Sequence, residues 1–480
     1  MSTITRPVPP ATPAHPDGAT DAPLGFVLFA ATVAALGGLL FGYDSAVING
    51  AIGAIGTHFR PNPTTLGLAV SAALVGAAAG ALSIGRIADR YGRLLPMRIA
   101  ALLFVISAVG AGFATSLLTL SLFRIVGGIA VGVASVIAPM YIAEVAPASI
   151  RGRLGSLQQL AIVLGIFFSL LVDYAVASAA GSSTTPWLFG IDAWRWMFIV
   201  MIVPAALYGL LSYAIPESPR FLVAQGRISE ASDVLKRLLG STVLAEKIAE
   251  ITDSLKNEKV ATLRDLRGPA LGLLPIVWVG LGLSVFQQFV GINVIFYYST
   301  VLWHAVGFSE KNSLLITVIT SVVNIVSTFV AIALVDKVGR RALLLFGSAG
   351  MAVTLGVLAF IFGNAPLNAA HEPFLSQSNG LIALWAANLF VVAFAVSWGP
   401  VVWVLLGEVF SNRIRAAALS LAAAAQWVAN WVITVTFPTL QHLGLGIAYG
   451  LYTAFAVLSF IFVMRFVRET NGTELESVDS

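Results

Sequence analysis

Three observations predict an all-α integral membrane fold: twelve transmembrane helices in two six-helix halves, with short cytoplasmic helices between them. Fifty-eight per cent of the 480 residues are hydrophobic and 10% are charged, against about a quarter charged in an average soluble domain. Several apolar runs exceed the roughly 20 residues a helix needs to cross a bilayer. They are continuous rather than alternating, which favours helices over barrel strands. Finally, motifs of the first half of the chain return at matching places in the second.

Breaking the runs at charged and turn-forming clusters gives spans near 24–50, 66–86, 94–114, 118–143, 154–176, 194–214, 270–302, 313–335, 342–363, 381–408, 416–438 and 445–467. Residues 1–23, rich in Pro, Ala and Thr and without an apolar core, read as a disordered tail rather than a cleavable signal peptide. Residues 468–480 form a second tail. The domains are then 24–214 and 270–467, joined by 215–269. With no cysteine, disulfides and thiolate metal sites are excluded, and no cofactor is expected.

Charge sets the orientation. Of 27 Lys and Arg, 23 lie in or next to the tails and even-numbered loops; Arg124 lies inside a span, and Arg60, Arg195 and Lys311 remain for the other side. Both termini are therefore expected in the cytoplasm. The net charge of +4 reflects that topology and carries no nucleic-acid signal.

The loop 215–269 holds nine of the basic residues. Ile228, Ala231, Leu235 and Leu238 share one helical face, as do Leu244, Ile248, Ile251 and Leu255, so two short amphipathic helices are expected beneath the membrane domain. They read as linkers, with a regulatory contact as the more ambitious alternative. On either side the halves echo each other. GRIADRYGR (85–93) follows span 2 and LVDKVGRR (334–341) follows span 8. Glu144 precedes Arg151 by seven residues, as Glu408 precedes Arg415, and PESPR (216–220) is answered by RETNG (468–472). A parallel six-helix repeat places a binding site at mid-membrane between the halves.

Two sets of residues inside the spans suggest chemistry. From Leu24 to Thr57 the only charged side chain in 34 residues is Asp44. A carboxylate in the bilayer costs about 2.5–3.5 kcal/mol and needs a partner or a proton. Arg124 is the one basic residue well inside a span. Counting along span 1 and span 4 puts both groups roughly 9–10 Å from the outer end, so they can pair. Separation of such a pair favours proton uptake and re-pairing expels the proton; a static ion pair is the alternative. Asp173, nearer the outer end of span 5, reads as solvated and receives no role.

The second set is amides and indoles: Gln158, Gln159, Gln287, Gln288, Asn293, Asn324 and Gln426, with Trp403 and Trp427. Amides complement hydroxyls and indoles complement an apolar ring face, as a sugar requires; interhelical hydrogen bonding uses the same residues. On a straight helix Asn293 would point about 140° away from Gln288. Gly291 between them predicts a bend or unwinding that turns both inward.

These motifs resemble the sugar porter family of the major facilitator superfamily, over nearly the whole chain beyond the tail. They include APMYIAEVAPASIRGR (138–153), QQFVGINVIFYYS (287–299) and SWGPVVWVLLGEVFSNRIRAAAL (397–419). The pattern is close to bacterial proton-coupled glucose and xylose transporters. The resemblance implies sugar contacts at Gln159, Gln287, Gln288, Asn293, Asn324, Trp403, Gln426 and Trp427, with Phe41 and Tyr297 lining the pocket. It implies gating ion pairs for Asp89, Arg93, Glu144, Arg151, Glu217, Asp336, Arg340, Glu408 and Arg415, closing the inner side by joining the halves. It implies proton coupling at Asp44, where facilitators carry asparagine. Ile166 and Phe296 depart from the xylose-symporter pattern, which has glutamine and leucine there, and lean the pocket toward glucose.

The expected function is import of a monosaccharide, D-glucose foremost, by proton symport through alternating access. A glucose uniporter, or a symporter for xylose or inositol, is the alternative. A non-transporting sensor is less favoured, because the segment after Val467 is only 13 residues. No GxxxxGK[ST] phosphate loop occurs, and the five histidines form no cluster, so an ATP-driven pump and an enzyme are disfavoured. The expected partners are a monosaccharide, a proton and the lipid bilayer, for a monomer in the plasma membrane.

Overall fold

The computed structural model describes residues 24–147, 150–240, 244–257, 263–305, 307–366, 375–410 and 414–470. Among the described residues, twelve helices are long and apolar enough to cross a membrane: Leu24–Phe59, Pro63–Tyr91, Leu94–Gly112, Leu117–Val145, Leu157–Ala180, Ala193–Leu211, Pro275–His304, Glu310–Val335, Arg340–Gly363, Gln377–Val409, Ala417–Leu443 and Leu445–Phe466. They are spans 1–12. The face where span 1 begins and span 12 ends is called here the terminal face, and the opposite one the far face. Both tails expected from composition fall mainly outside the described residues.

The repeat is visible in how the spans start. Spans 2, 4, 8 and 10 enter from the far face, each with its first turn capped by a polar side chain. Asn62 accepts from Thr65 N, Ser116 from Thr119 N, Ser309 from Asn312 N and Ser376 from Asn379 N. Such caps satisfy backbone N–H groups that the helix leaves unpaired, each worth about 1 kcal/mol. Glycine then sets the packing distance. Gly76 and Gly80 of span 2 press against the Ile125 and Ile129 carbonyls of span 4, and Gly128 and Gly132 press back on Ala73 and Ala77. Gly42 and Gly165 do the same between spans 1 and 5. Without a hydrophobic drive between helices in lipid, this close backbone approach supplies the van der Waals contact that holds them.

Among the described residues four spans are interrupted. Span 1 divides into Leu24–Ala46 and Ile48–Phe59, span 6 into Ala193–Ile199 and Ile202–Leu211, span 7 into Pro275–Phe289 and Ile292–Ala305, and span 10 into Gln377–Val396 and Trp398–Val409. Span 1 runs nine residues past its expected end at 50. The glycines of GAIGAIG did not stop it, because Ala51, Ile52, Ala54 and Ile55 bury one face of the continuing helix. The linker forms Pro219–Ala224, Ile228–Leu239 and Leu244–Asn257. The last two are the expected amphipathic helices, and the first, which begins at the end of PESPR, was not expected. Phe221, Leu222, Val223 and Ala231 make a small separate core with Ile251 and Leu255. Arg237 covers the Phe26 ring at 4.6 Å, tying the linker to the start of span 1.

Candidate functional site: a buried ion pair beside an amide cluster

Asp44 ends the first segment of span 1 and is 1% exposed; Arg124, one face-repeat before the glycines of span 4, is 2% exposed. Arg124 Nη1 donates to the Asp44 main-chain carbonyl at 2.8 Å and lies 3.7 Å from Asp44 Oδ2. The pair is therefore loose. Asp44 Oδ2 and Arg124 Nε have no hydrogen-bond partner. The carboxylate fits because Gly127 has no side chain: a Cβ there would meet Asp44 Oδ1 at 2.9 Å. The depth count that predicted this pair assumed that span 1 ended near 50. The pair forms although that boundary was wrong.

Span 7 breaks where the sequence predicted. Gly291 takes φ +82°, open to glycine at little cost. Asn293 Nδ2 now donates to Gln288 Oε1 across the break, and Gln288 Nε2 reaches Gln287 Oε1 at 3.3 Å. Gln287 Nε2 donates to the Trp398 carbonyl at 2.8 Å, at the break in span 10. Two helix interruptions are thus joined by one amide chain. Asn324 of span 8 is buried, Gln159 is half-buried, and Gln426 of span 11 keeps an unpartnered Oε1. Neighbouring Gln158 packs against Gly38 with both amide atoms unpartnered.

Aromatic rings close the space between the halves. Phe41 of span 1 and Trp427 of span 11 lie 5.9 Å apart at 35°. The Tyr297 hydroxyl sits beside Asn430 and Ser45, the residue following Asp44. It joins the amide region to the ion pair. Phe296 is buried and Ile166 half-buried. Trp403 is 42% exposed on the second segment of span 10. That segment packs against helices of its own half. Asn430 was missed by sequence reading. Its signal was its place one turn after Gln426 on the same face of span 11.

At the terminal face each half carries the same device. Arg93 forms a two-pronged pair with Glu144, at 2.9 and 2.8 Å, while Glu217 accepts from Arg93 N and Leu94 N at 2.9 and 3.2 Å. Arg340 pairs likewise with Glu408, at 3.1 and 2.8 Å, and Glu469 accepts from Arg340 N and Arg341 N at 2.9 and 3.0 Å. Gly92 and Gly339, at φ +88° and +91°, make room: a Cβ on either would strike the Glu217 or Glu469 carboxylate. Glu469 was not singled out from sequence, though RETNG had been aligned with PESPR.

Several expectations change here. The described rim pairs lie within one half each, not between halves. Asp89 is exposed, and its main-chain oxygen accepts from Gln225 Nε2 at 3.5 Å. Arg415 Nε donates to the Phe410 carbonyl. The side chains of Arg151 and Asp336 lie outside the described residues. Asp173 is not solvated: it is 0% exposed, because the second segment of span 1 covers it. Hydrogen bonds between the halves gather on the far face instead. Asn49 Nδ2 donates to the Phe296 carbonyl at 2.9 Å and to Ser299 Oγ at 3.0 Å, and Ser183 N donates to Glu310 Oε1 at 2.9 Å.

Two six-span halves meeting at broken helices, with a charge pair buried in the first half and a chain of neutral amides in the second, define a membrane transporter. Residues 30–480 match the family model described as "Sugar (and other) transporter". The chain belongs to that family, the sugar porters of the major facilitator superfamily, which are transporters and not enzymes. It is similar to the glucose transport protein of Synechocystis sp., at 54% identity over 97% of this chain and 100% of that one. It is also similar to the D-xylose-proton symporter of Escherichia coli K12, at 39% identity over 93% and 94%. The solved inward-open conformation of the xylose transporter XylE from E. coli superposes with a TM-score of 0.79 at 37% identity, covering 94% of this chain and 99% of that chain.

Proposed function

We propose that this protein imports D-glucose with protons, by alternating access across the plasma membrane. The observation that carries the reading is the loose, fully buried Asp44–Arg124 pair, linked through Ser45 and the Tyr297 hydroxyl to Asn430 of span 11. A sugar drawn onto Gln288, Asn293 and their neighbours shifts Tyr297, and with it the segment that holds Asp44. When the pair separates, the lone carboxylate takes up a proton; when it re-forms, Arg124 displaces that proton. Sugar and proton then share one conformational step. Similarity to a glucose transport protein and to a D-xylose-proton symporter supports both halves of the reading.

The amide set Gln159, Gln287, Gln288, Asn293, Asn324 and Gln426 supplies hydroxyl partners, and Phe41, Tyr297, Trp403 and Trp427 supply ring faces. Ile166 and Phe296 make the pocket more apolar and favour glucose over xylose. The domains run 24–214 and 270–467. The terminal face is cytoplasmic, as the arginine-rich rim supports, and the protein acts as a monomer in the bilayer. The rim devices hold each half rigid and present the surfaces that close the inner gate.

The test is uptake of labelled glucose into proteoliposomes, with and without an inward proton gradient, for wild type and Asp44→Asn. Accumulation above equilibrium in wild type alone assigns coupling to Asp44. Gradient-independent equilibration in both proteins would make it a uniporter.

A further inference from the structure

A second carboxylate in the membrane has no part in that cycle. Asp173 is fully buried in span 5, and no basic side chain pairs with it among the described residues. Its Oδ2 accepts from the main-chain N–H of Gly50 at 3.1 Å, and its Oδ1 has no partner. Gly50 stands in the second segment of span 1, and the fit demands glycine. A Cβ there would meet Asp173 Cβ and Cγ at 2.5 Å. The neighbouring residue is Asn49, which makes the main hydrogen-bonded crossing between the halves. Besides Phe296 and Ser299, its Oδ1 accepts from Thr300 N at 3.1 Å and its carbonyl accepts from Thr300 Oγ1.

We propose that Asp173 is a positioning residue for the far gate: it grips the Gly50 backbone and so sets the rotation at which Asn49 latches onto the second segment of span 7. A buried carboxylate with one hydrogen bond and no cation is costly to keep. The arrangement is intelligible if the acceptor oxygen is needed at that point of the backbone. Asn49 bonds both main-chain and side-chain groups of span 7, so a small rotation of the Ile48–Phe59 segment misaligns every one of them together. The far face then opens. The inference rests on the alternating-access reading and adds which group holds one of its end states.

The test uses the absence of native cysteine. Thr57→Cys and Lys311→Cys, both at exposed far-face positions of opposite halves, carry nitroxide labels in the full chain in lipid. Pulsed electron resonance then reads the gap. Asp173→Ala should raise the long-distance fraction about three- to tenfold, the scale of one lost buried hydrogen bond. Gly50→Ala, which wedges the same contact from the other side, should do likewise. Asp173→Asn keeps an acceptor oxygen and should retain the closed distribution. With Asn49→Ala already present, Asp173→Ala should add little. The proposal is overturned if the alanine variant leaves the distances unchanged, if asparagine opens the gap as far as alanine, or if the effects of positions 49 and 173 simply add. Should Asp173→Ala not fold, Gly50→Ala and Asp173→Asn decide. Failure of the proton–glucose reading would appear separately, as absent gradient-driven uptake by wild type.

Discussion

Two kinds of arginine–carboxylate pair occur within the first half of the molecule, and they are built oppositely. Arg93 and Glu144 meet through two short hydrogen bonds at the rim, with a second carboxylate, Glu217, fixing the backbone beside them. Arg124 and Asp44 meet inside the membrane through one 3.7 Å approach of their charges and a 2.8 Å hydrogen bond to the Asp44 main-chain carbonyl, with side-chain atoms left unpartnered on both sides. The tight pair is duplicated in the second half as Arg340, Glu408 and Glu469. The loose pair has no duplicate: spans 7 and 10 carry no Asp, Glu, Lys or Arg before Glu408, and amides occupy the corresponding region. What is repeated serves architecture common to both halves. On the proton-symport proposal, what is unique serves coupling, which needs one switchable charge and not two.

The sharpest way to break this comparison is Asp44→Asn. It should abolish accumulation of glucose against its gradient while leaving equilibration, read as the ratio of internal to external sugar at steady state. Arg124→Met comes next. It leaves a buried carboxylate without its cation and should cost about 3–5 kcal/mol of stability, seen as a lowered melting temperature in detergent. The double variant with Asp44→Asn should recover much of that loss; no recovery would mean that the two side chains are not energetically coupled.

On the amide side, Asn293→Ala and Gln288→Ala should each weaken glucose binding by about 1–3 kcal/mol, measured by calorimetry. They should spare gradient sensitivity of the residual transport. If instead coupling were lost and affinity kept, the assignment of charge to one half and sugar to the other would fail. Smallest and most symmetrical should be Glu217→Gln and Glu469→Gln. Each removes the charge that accepts at a helix start and should cost about 0.5–2 kcal/mol by thermal denaturation. Strongly unequal costs would show that the duplicated rim is not architecturally equivalent.

Span number, span order and the parallel repeat were legible in the sequence because membrane insertion is a property of each segment. Length and apolarity decide it locally. The break at Gly291 was legible for a related reason, since an amide on either side of one glycine could converge only if the helix gave way. Asp44 and Arg124 were legible because each is the only charge within its run. Asp173 carried the same signal, as the only charge between Arg153 and Asp192, and was misread all the same. Its position near a span end suggested water, and only the packing of Ile48–Phe59 over it decides otherwise. Glu469 illustrates the same limit. The match of RETNG to PESPR marks its segment but not its partner, which comes from folding back onto the start of span 9.

By itself, then, the sequence determined twelve spans, two halves and the residue types available between them. Hydropathy and turn chemistry act over a few residues and suffice for that. The tertiary structure alone decided that the central pair is loose and the rim pairs tight, that the described rim pairs stay within their halves, and that Asn49 crosses to span 7. Those outcomes depend on how deeply one helix slides along and rotates against another. The close glycine contacts of spans 1, 2, 4 and 5 fix that register to within an ångström or so, and no single segment encodes it.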